Sequence, residues 1–274
     1  MSRSTQLSLQ LKEEGNRLFQ AGNFIGADGL YSKAIIADPQ NPALYTNRAM
    51  ARLKLGHWES VIADCQTCLG LAPQNMKAHY YLSQAQLSIG DFDSALTNAL
   101  AAHKICATTN DKSLGAITNI VLRCKKDRWE DREKKRLRQE RELEEEMLEM
   151  LARDRDVMLK VESDETERSI IEEEANEKMK ALRNVFENAR EQNLKRREVP
   201  DWAIDDISFA IMVDPVVTKT GKSYERATIM EHLRRHPSDP LTREPLSVAE
   251  LRPNLSLRQA CADFLEENGW AVDW

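Results

Sequence analysis

The chain has 274 residues, 41% of them apolar, which is enough to bury a core and too many for a wholly disordered protein, and its length suggests about two domains. A net charge of −6 argues against nucleic acid as the main partner, and no apolar run approaches the ~18 residues that a membrane span needs, so neither nucleic acid nor membrane is expected. Five scattered cysteines (Cys65, Cys68, Cys106, Cys124, Cys261) fit a reducing compartment better than a disulfide framework, and MSRSTQLSLQL carries no apolar signal core; a cytoplasmic protein is expected, with the nucleus also open to it.

Residues 1–127 repeat themselves. Gly22-Asn23-Phe24, Gly56-His57-Trp58 and Gly90-Asp91-Phe92 recur at a spacing of 34, as do Pro39 and Pro73, and Ala27, Val61 and Ala95 keep the register. A glycine-aromatic turn in the middle and a proline at the end describe a helix-turn-helix pair used three times, because glycine tolerates the turn and proline stops the second helix. This resembles the tetratricopeptide (TPR) family over roughly residues 8–109, with Gly15, Tyr31, Ala34 and Pro39 at its packing positions in the first repeat. Arg52 departs from a usually aromatic position in the second repeat, and Ser83 and Gln86 depart in the third. A capping helix over about Ser113–Arg128 is expected to cover the last repeat.

In such a curved array the first helix of each repeat lines the concave side. Counted from the repeat starts at Ser8, Pro42 and Met76, the groove-facing polar residues are Lys12, Asn16, Asn47 and Lys77. Two ammonium groups and two amides converging from three helices suit a pair of carboxylates, since charge-assisted hydrogen bonds need fixed donors. The set resembles the carboxylate clamp of TPR co-chaperones. That resemblance implies the acidic tails, ending Glu-Glu-Val-Asp, of the cytosolic heat-shock chaperones of the seventy- and ninety-kilodalton classes. Phe19 and Tyr80 are candidates for an apolar wall against the tail's upstream residues. Tyr81 stands where many clamps carry a further basic residue.

Residues 128–198 hold 18 basic and 22 acidic side chains, and no glycine or proline occurs from Ala116 to Val199, which favours helix throughout. Leu143, Met147, Met150 and Leu151 form one apolar seam; Ile171, Ala175, Met179, Leu182, Phe186 and Ala189 form another. Between them SDETE (163–167) is the expected reversal of a coiled-coil-like antiparallel hairpin. A narrow seam on so charged a helix is best buried against a second copy, so a homodimer is expected.

Pro200 marks a break in composition, and residues 199–274 read as a small α+β module. Val216-Val217-Thr218 and Lys222-Ser223-Tyr224 flank Thr220-Gly221 as a hairpin; Ala227–His236 reads as a helix, and Leu257, Ala260, Cys261, Phe264 and Leu265 form the stripe of a last one. Through ISF, DPV, G-SYER, DPLTREPL and PNLSLRQ the module resembles the U-box, the RING-shaped domain of ubiquitin ligases. A RING needs eight Cys or His ligands, whereas this segment has one cysteine and two histidines, so the shape must rest on packing and hydrogen bonds. Cys65 and Cys68 fall at packing positions of the repeat and read as core. No nucleophile, base or cofactor loop stands out, and no cofactor is expected.

For the U-box that lack of a catalytic group is what the resemblance implies, because a partner ubiquitin-conjugating enzyme carries ubiquitin as a thioester and the ligase positions it. By resemblance Ile207, Phe209 and Pro240 form the platform for that enzyme, and Arg243 bridges enzyme and ubiquitin. Tyr224, Leu246 and Leu257 are expected in the core. The fold class is thus mainly α: a TPR superhelix, a charged hairpin and a zinc-free U-box. That order resembles the CHIP family of chaperone-associated ubiquitin ligases over nearly the entire chain, which implies ubiquitination of misfolded client proteins for quality control. The alternative is a non-catalytic co-chaperone adaptor with an inactive U-box.

Overall fold

The computed structural model describes residues 3–194 and 198–274; residues 195–197, the end of the stretch expected to be helical, lie outside the described residues. Six helices form three pairs: α1 (Arg3–Gln20) with α2 (Phe24–Ala37), α3 (Pro42–Leu55) with α4 (Trp58–Leu71), and α5 (Met76–Ser88) with α6 (Phe92–Thr109). Their ends are written locally. The side chains of Asn23, Asn41, Asn75 and Asp91 each accept a first-turn N–H of α2, α3, α5 and α6, caps worth about 1 kcal/mol apiece. Gly22, Gly56 and Gly90 turn each pair at φ of 79°, 75° and 82°, a region that costs other residues about 1–2 kcal/mol.

The buried stripe repeats with the turns. Ala27, Tyr31 and Ala34 on α2, Val61, Cys65 and Cys68 on α4, and Ala95, Ala99 and Ala102 on α6 are all fully buried, so the same four-then-three spacing faces the same way in each repeat. Cys65 and Cys68 therefore fill core positions; burial pushes the Cys65 thiol up, and that of Cys68 to about 11. The departure at Arg52 is absorbed by charge. Arg52 pairs with Asp28 at 2.7 Å and with the buried Asp64 at 3.0 Å, and Arg48 pairs with Asp64 at 2.6 Å. Ser83 and Gln86 are also satisfied, Ser83 through Tyr80 O at 2.9 Å and Gln86 by the Asn98 amide at 2.9 Å.

The expected capping helix is not a separate element. α7 runs from Leu114 to Val161, 48 residues without a break, burying Leu114, Ile117, Val121, Leu122 and Cys124 against the repeats before continuing as the first arm of the charged hairpin. α8 (Glu165–Leu194) is the second arm, so the reversal occupies Glu162–Asp164. The arms are antiparallel: Arg190 pairs with Glu144 near one end, and Arg168 Nη1 donates to Leu159 O at 2.8 Å near the other. On α8 the expected seam turns inward through Ile171, Ala175, Met179, Leu182 and Phe186, while Ala189 is exposed. On α7 the inward side is rotated from expectation, to Leu148, Leu151, Ala152 and Leu159, and Leu143, Met147 and Met150 are left exposed.

In the last segment β1 (Pro215–Val217) pairs antiparallel with β2 (Ser223–Glu225), Val216 opposite Tyr224, and also with β3 (Arg252–Pro253), giving the order β2-β1-β3. Helices α9 (Arg226–Arg235) and α10 (Leu255–Glu267) complete it. Tyr224 and Leu246 are buried as expected; Leu257 is only half-buried. By contact, the chain forms two units, Met1–Trp129 together with Asp201–Trp274, and Glu130–Pro200. The first unit joins the repeats to the C-terminal module through a shared core in which Cys106, Leu114 and Ile117 meet Ile229, Met230 and Leu233. Trp129 Nε1 donates to Glu267 O at 2.9 Å, and the absence of a side chain at Gly269 lets the Trp129 ring lie against it. No helix among the described residues is long and apolar enough to cross a membrane.

Candidate functional site

Two sites emerge, one on each half of the first unit. In the repeats, α1 and α3 bring Asn16 and Asn47 together, with Asn47 Nδ2 donating to Asn16 Oδ1 at 3.2 Å. Tyr31 also donates its hydroxyl to Asn16 Oδ1, at 2.8 Å. Gly15 makes that reach possible: a Cβ there would stand 2.7 Å from Tyr31 Cε1. With its oxygen held twice, Asn16 must present both N–H bonds of Nδ2 elsewhere, and Asn47 keeps one N–H for a ligand. Tyr31 is thus a positioning group that its packing register alone does not reveal.

Lys12 is half-buried on α1, one turn before Asn16, and Lys77 is exposed on α5. Two cations therefore stand on the helices that carry or adjoin the amide pair. Tyr80 is half-buried beside Tyr81, ring centroids 5.7 Å apart, and packs against the core shared with the C-terminal module. Tyr81, at the place of the further basic residue, instead packs against the cluster around Cys65. Phe19 stacks near Phe24 at 5.1 Å and packs against the cluster of Ala27, Tyr31 and Ala51.

The second site is built from two loops of the same design. In the first, buried Asp205 accepts from Ser208 N at 2.8 Å and Oγ at 2.7 Å, from Thr228 Oγ1 at 2.9 Å, and from Glu225 N at 2.9 Å. Its own backbone closes the loop, taking Phe209 N–H at 2.8 Å and giving N–H to Ala210 O at 2.9 Å. In the second, buried Asp239 accepts from Leu241 N at 2.9 Å, Thr242 N at 3.2 Å and Thr220 Oγ1 at 3.0 Å, while Arg243 N reaches Asp239 O at 2.9 Å. Burial alone would raise the Asp239 carboxyl, but these donors outweigh it and hold it below the usual range.

Each loop ends on a non-glycine residue in the left-handed region, Phe209 at φ 57° and Arg243 at 61°. Such a conformation costs on the order of 1 kcal/mol and persists only where surrounding bonds impose it, as the two aspartates do here. The outcome is an apolar surface. Phe209 is 72% exposed and Leu241 70%, with Ile207 and Pro240 half-buried and Arg243 exposed. Leu241 is a member that the sequence reading missed. Tyr224 ties the loops to the sheet; burial and the carboxylates of Asp239, Asp206 and Asp205 push its hydroxyl up to about 12.

Behind the first loop, Glu225 Oε2 accepts from Val213 N at 2.7 Å and Asp214 N at 2.9 Å. Burial pushes its carboxyl up to about 7, opposed by those N–H donors and helped by the Asp214 charge. Among the described residues no three His, Cys, Asp or Glu side chains gather in a way that could hold a metal ion.

Comparison with known proteins adds the following. Residues 199–270 match the U-box domain family. The E3 ubiquitin-protein ligase CHIP of Arabidopsis thaliana is 32% identical over 271 residues, covering 98% of this chain and 96% of that protein. The Hsp70/Hsp90 co-chaperone CNS1 of Saccharomyces cerevisiae is 29% identical over 148 residues, 53% of this chain and 38% of that protein. Among solved structures, the TPR2B domain of yeast Sti1 in complex with an Hsp70 peptide aligns with 43% of this chain and 96% of its own, at 26% identity and a TM-score of 0.42.

Proposed function

Because the chain belongs to the CHIP family of E3 ubiquitin-protein ligases, we propose that it binds the acidic C-terminal tail of cytosolic heat-shock chaperones with its repeats and recruits a ubiquitin-conjugating enzyme with its U-box. Such an arrangement marks a chaperone-held misfolded client for quality control. The observation that carries the first half is the Tyr31–Asn16–Asn47 chain of hydrogen bonds, which leaves amide donors free between Lys12 and Lys77. A terminal carboxylate takes the amides and a second carboxylate takes an ammonium, each a charge-assisted bond.

The second half rests on Phe209 and Leu241 standing out of the U-box with Ile207 and Pro240 behind them and Arg243 at the rim. None of these groups needs to touch the reacting atoms. The thioester sits on the conjugating enzyme, the lysine amine of the client attacks its carbonyl, and the thiol of the enzyme leaves; the ligase contributes proximity and orientation. In this reading the exposed Arg243 hydrogen-bonds enzyme and ubiquitin together, so that the thioester is held in one reactive arrangement.

The exposed Leu143, Met147 and Met150 of α7 support a homodimer. Met147, Met150 and Leu151 with Ala181, Leu182 and Val185 line an open apolar trough of about 470 Å³ on the hairpin, a surface suited to the same surface on a second copy. Two copies would hold two tails at once and gain avidity.

The test has two arms. Titration calorimetry with a peptide ending Glu-Glu-Val-Asp should give saturable binding that Lys12→Ala removes. A reconstituted reaction with ubiquitin, its activating enzyme and a conjugating enzyme should build chains that Phe209→Ala abolishes while the fold is kept, since that side chain is mostly in solvent. Chains that persist in the Phe209 variant would overturn the platform, and their absence in the unmodified protein would favour the adaptor.

A further inference from the structure

The two platform loops are braced from outside by different elements. For the first, the outside hydroxyl on Asp205 comes from Thr228 of α9. For the second, the hydroxyl on Asp239 comes from Thr220, at the tip of the β1–β2 hairpin. That tip is itself fixed. It turns through Gly221 at φ 86°, closed by Gly221 N–H to Thr218 O at 3.0 Å and Thr218 N–H to Lys222 O at 2.9 Å. The hydroxyl oxygens of buried Thr218 and exposed Thr220 lie 2.7 Å apart, which sets Thr220 against Asp239 Oδ2 at 3.0 Å.

The tip holds the second loop at both feet. Beside Thr220, Lys219 Nζ donates to Pro245 O at 3.0 Å and stands 3.6 Å from Glu244. Asp239 and Pro245 are the ends of the turn that carries Pro240, Leu241 and Arg243, and Asp239 N–H to Glu244 O at 2.8 Å closes its neck. Within the turn the two oxygens of Asp239 act on different things. Oδ1 takes the N–H groups of Leu241 and Thr242, bonds local to the turn, whereas Oδ2 ties the turn to the sheet through Thr220. Arg243 hangs on the same aspartate by its N–H to Asp239 O at 2.9 Å, in a left-handed conformation that lasts only where neighbours impose it. Its guanidinium ends a long exposed side chain, so a tilt of the turn against the sheet displaces it more than the shorter side chains of Pro240 and Leu241. The tip also meets the first loop, through the ion pair of Lys222 with Asp206, but both side chains are largely in solvent, where such a pair contributes little.

Resting on the platform reading above, we propose that Thr220 and Lys219 are positioning residues for ubiquitin transfer: the hairpin tip holds the Arg243 turn in its reactive orientation. Recruitment of the conjugating enzyme and its activation then depend on different parts of the module. Ile207 and Phe209 on the first loop supply the docking, and the hairpin tip, acting through Asp239, sets how well the docked thioester reacts.

Single-turnover discharge of ubiquitin from a loaded conjugating enzyme to free lysine, followed with the full chain at rising concentration, separates the two. Thr220→Val keeps the branched shape and removes the hydroxyl. The maximal rate should fall about five- to tenfold, while the half-saturating concentration of ligase changes less than about twofold. Thr220→Ser should restore the rate. Lys219→Met, at a side chain half in solvent, should lower the maximal rate in the same way and Lys219→Arg should recover it. Phe209→Ala should instead remove saturation; if it does not, or if the unmodified protein discharges nothing, the platform reading fails and the proposal falls with it. An unaltered maximal rate in Thr220→Val and Lys219→Met, a loss that appears only in half-saturation, or a Thr220→Ser protein as slow as Thr220→Val overturns the positioning role and leaves the platform standing.

Discussion

Replacing Glu225 by glutamine should make the protein's stability less sensitive to pH. In the unfolded chain this carboxyl loses its proton near the ordinary value of 4.5, and in the fold near 7. Between those values the folded state holds one proton more than the unfolded state, so stability falls as pH rises, at about 1.4 kcal/mol per unit. The contribution is fully present below the unfolded value and gone once pH passes the folded one, a loss of about 3 kcal/mol. Glutamine at 225 keeps an acceptor oxygen for the N–H groups of Val213 and Asp214 but has no proton to lose. For a cooperative unit of roughly 200 residues, 1 kcal/mol moves Tm by about 2–4 °C. The gap in Tm between Glu225→Gln and the unmodified protein should therefore widen in favour of the variant by about 6–12 °C from pH 4.5 to pH 7.5, read by circular dichroism melts in matched buffers. Titrating groups remote from Glu225 are common to both proteins and cancel in the difference. Melting temperatures that run parallel across that range would refute the reasoning.

Three further outcomes are expected. Tyr31→Phe removes one of the two bonds that hold the Asn16 oxygen, so tail affinity should weaken about three- to tenfold by calorimetry with little change in Tm. Asp239→Ala strands the N–H groups of Leu241 and Thr242 and the Thr220 hydroxyl; urea denaturation should show a loss of about 3 kcal/mol or more, with slower ubiquitin discharge from the conjugating enzyme. Gly269→Ala places a Cβ 2.3 Å from that of Trp129, and overpacking of about 1–3 kcal/mol should appear as a lower Tm and altered tryptophan fluorescence.

Where local chemistry dictated structure, the sequence could be read directly. The glycine-aromatic turns and the closing prolines marked the repeat, and the register then located Asn16 and Asn47, which do meet. What escaped notice depends on contacts across elements or on conformations that leave no signature. Tyr31 read as packing because its hydroxyl acts on a residue of another helix. Leu241 was one apolar residue in a polar loop, and its exposure follows from Asp239 folding the chain around itself. Phe209 and Arg243 carry positive φ without being glycine. The capping helix was ended too early because the charge rises after Asp127, but charge tells how a helix is solvated, not where it stops. The absence of any glycine or proline after Ala116 was the better guide to the 48 residues of α7. On that helix the inward seam was also misplaced, since Leu143, Met147 and Met150 satisfy helical spacing as well as the face that is used.

The two carboxylate-centred loops have an implication for hostile chemistry. Hydrogen bonds to Asp205 and Asp239 do the shaping that sulfur–metal bonds do in a RING, and the five thiols are sealed inside, with burial raising their pKa so that they keep their protons. Among the described residues no cluster of side chains is suited to a divalent cation that a chelator could strip, and peroxide meets buried thiols rather than exposed thiolates. The shape of these two loops thus rests on carboxylate hydrogen bonds that neither chelation nor thiol oxidation touches.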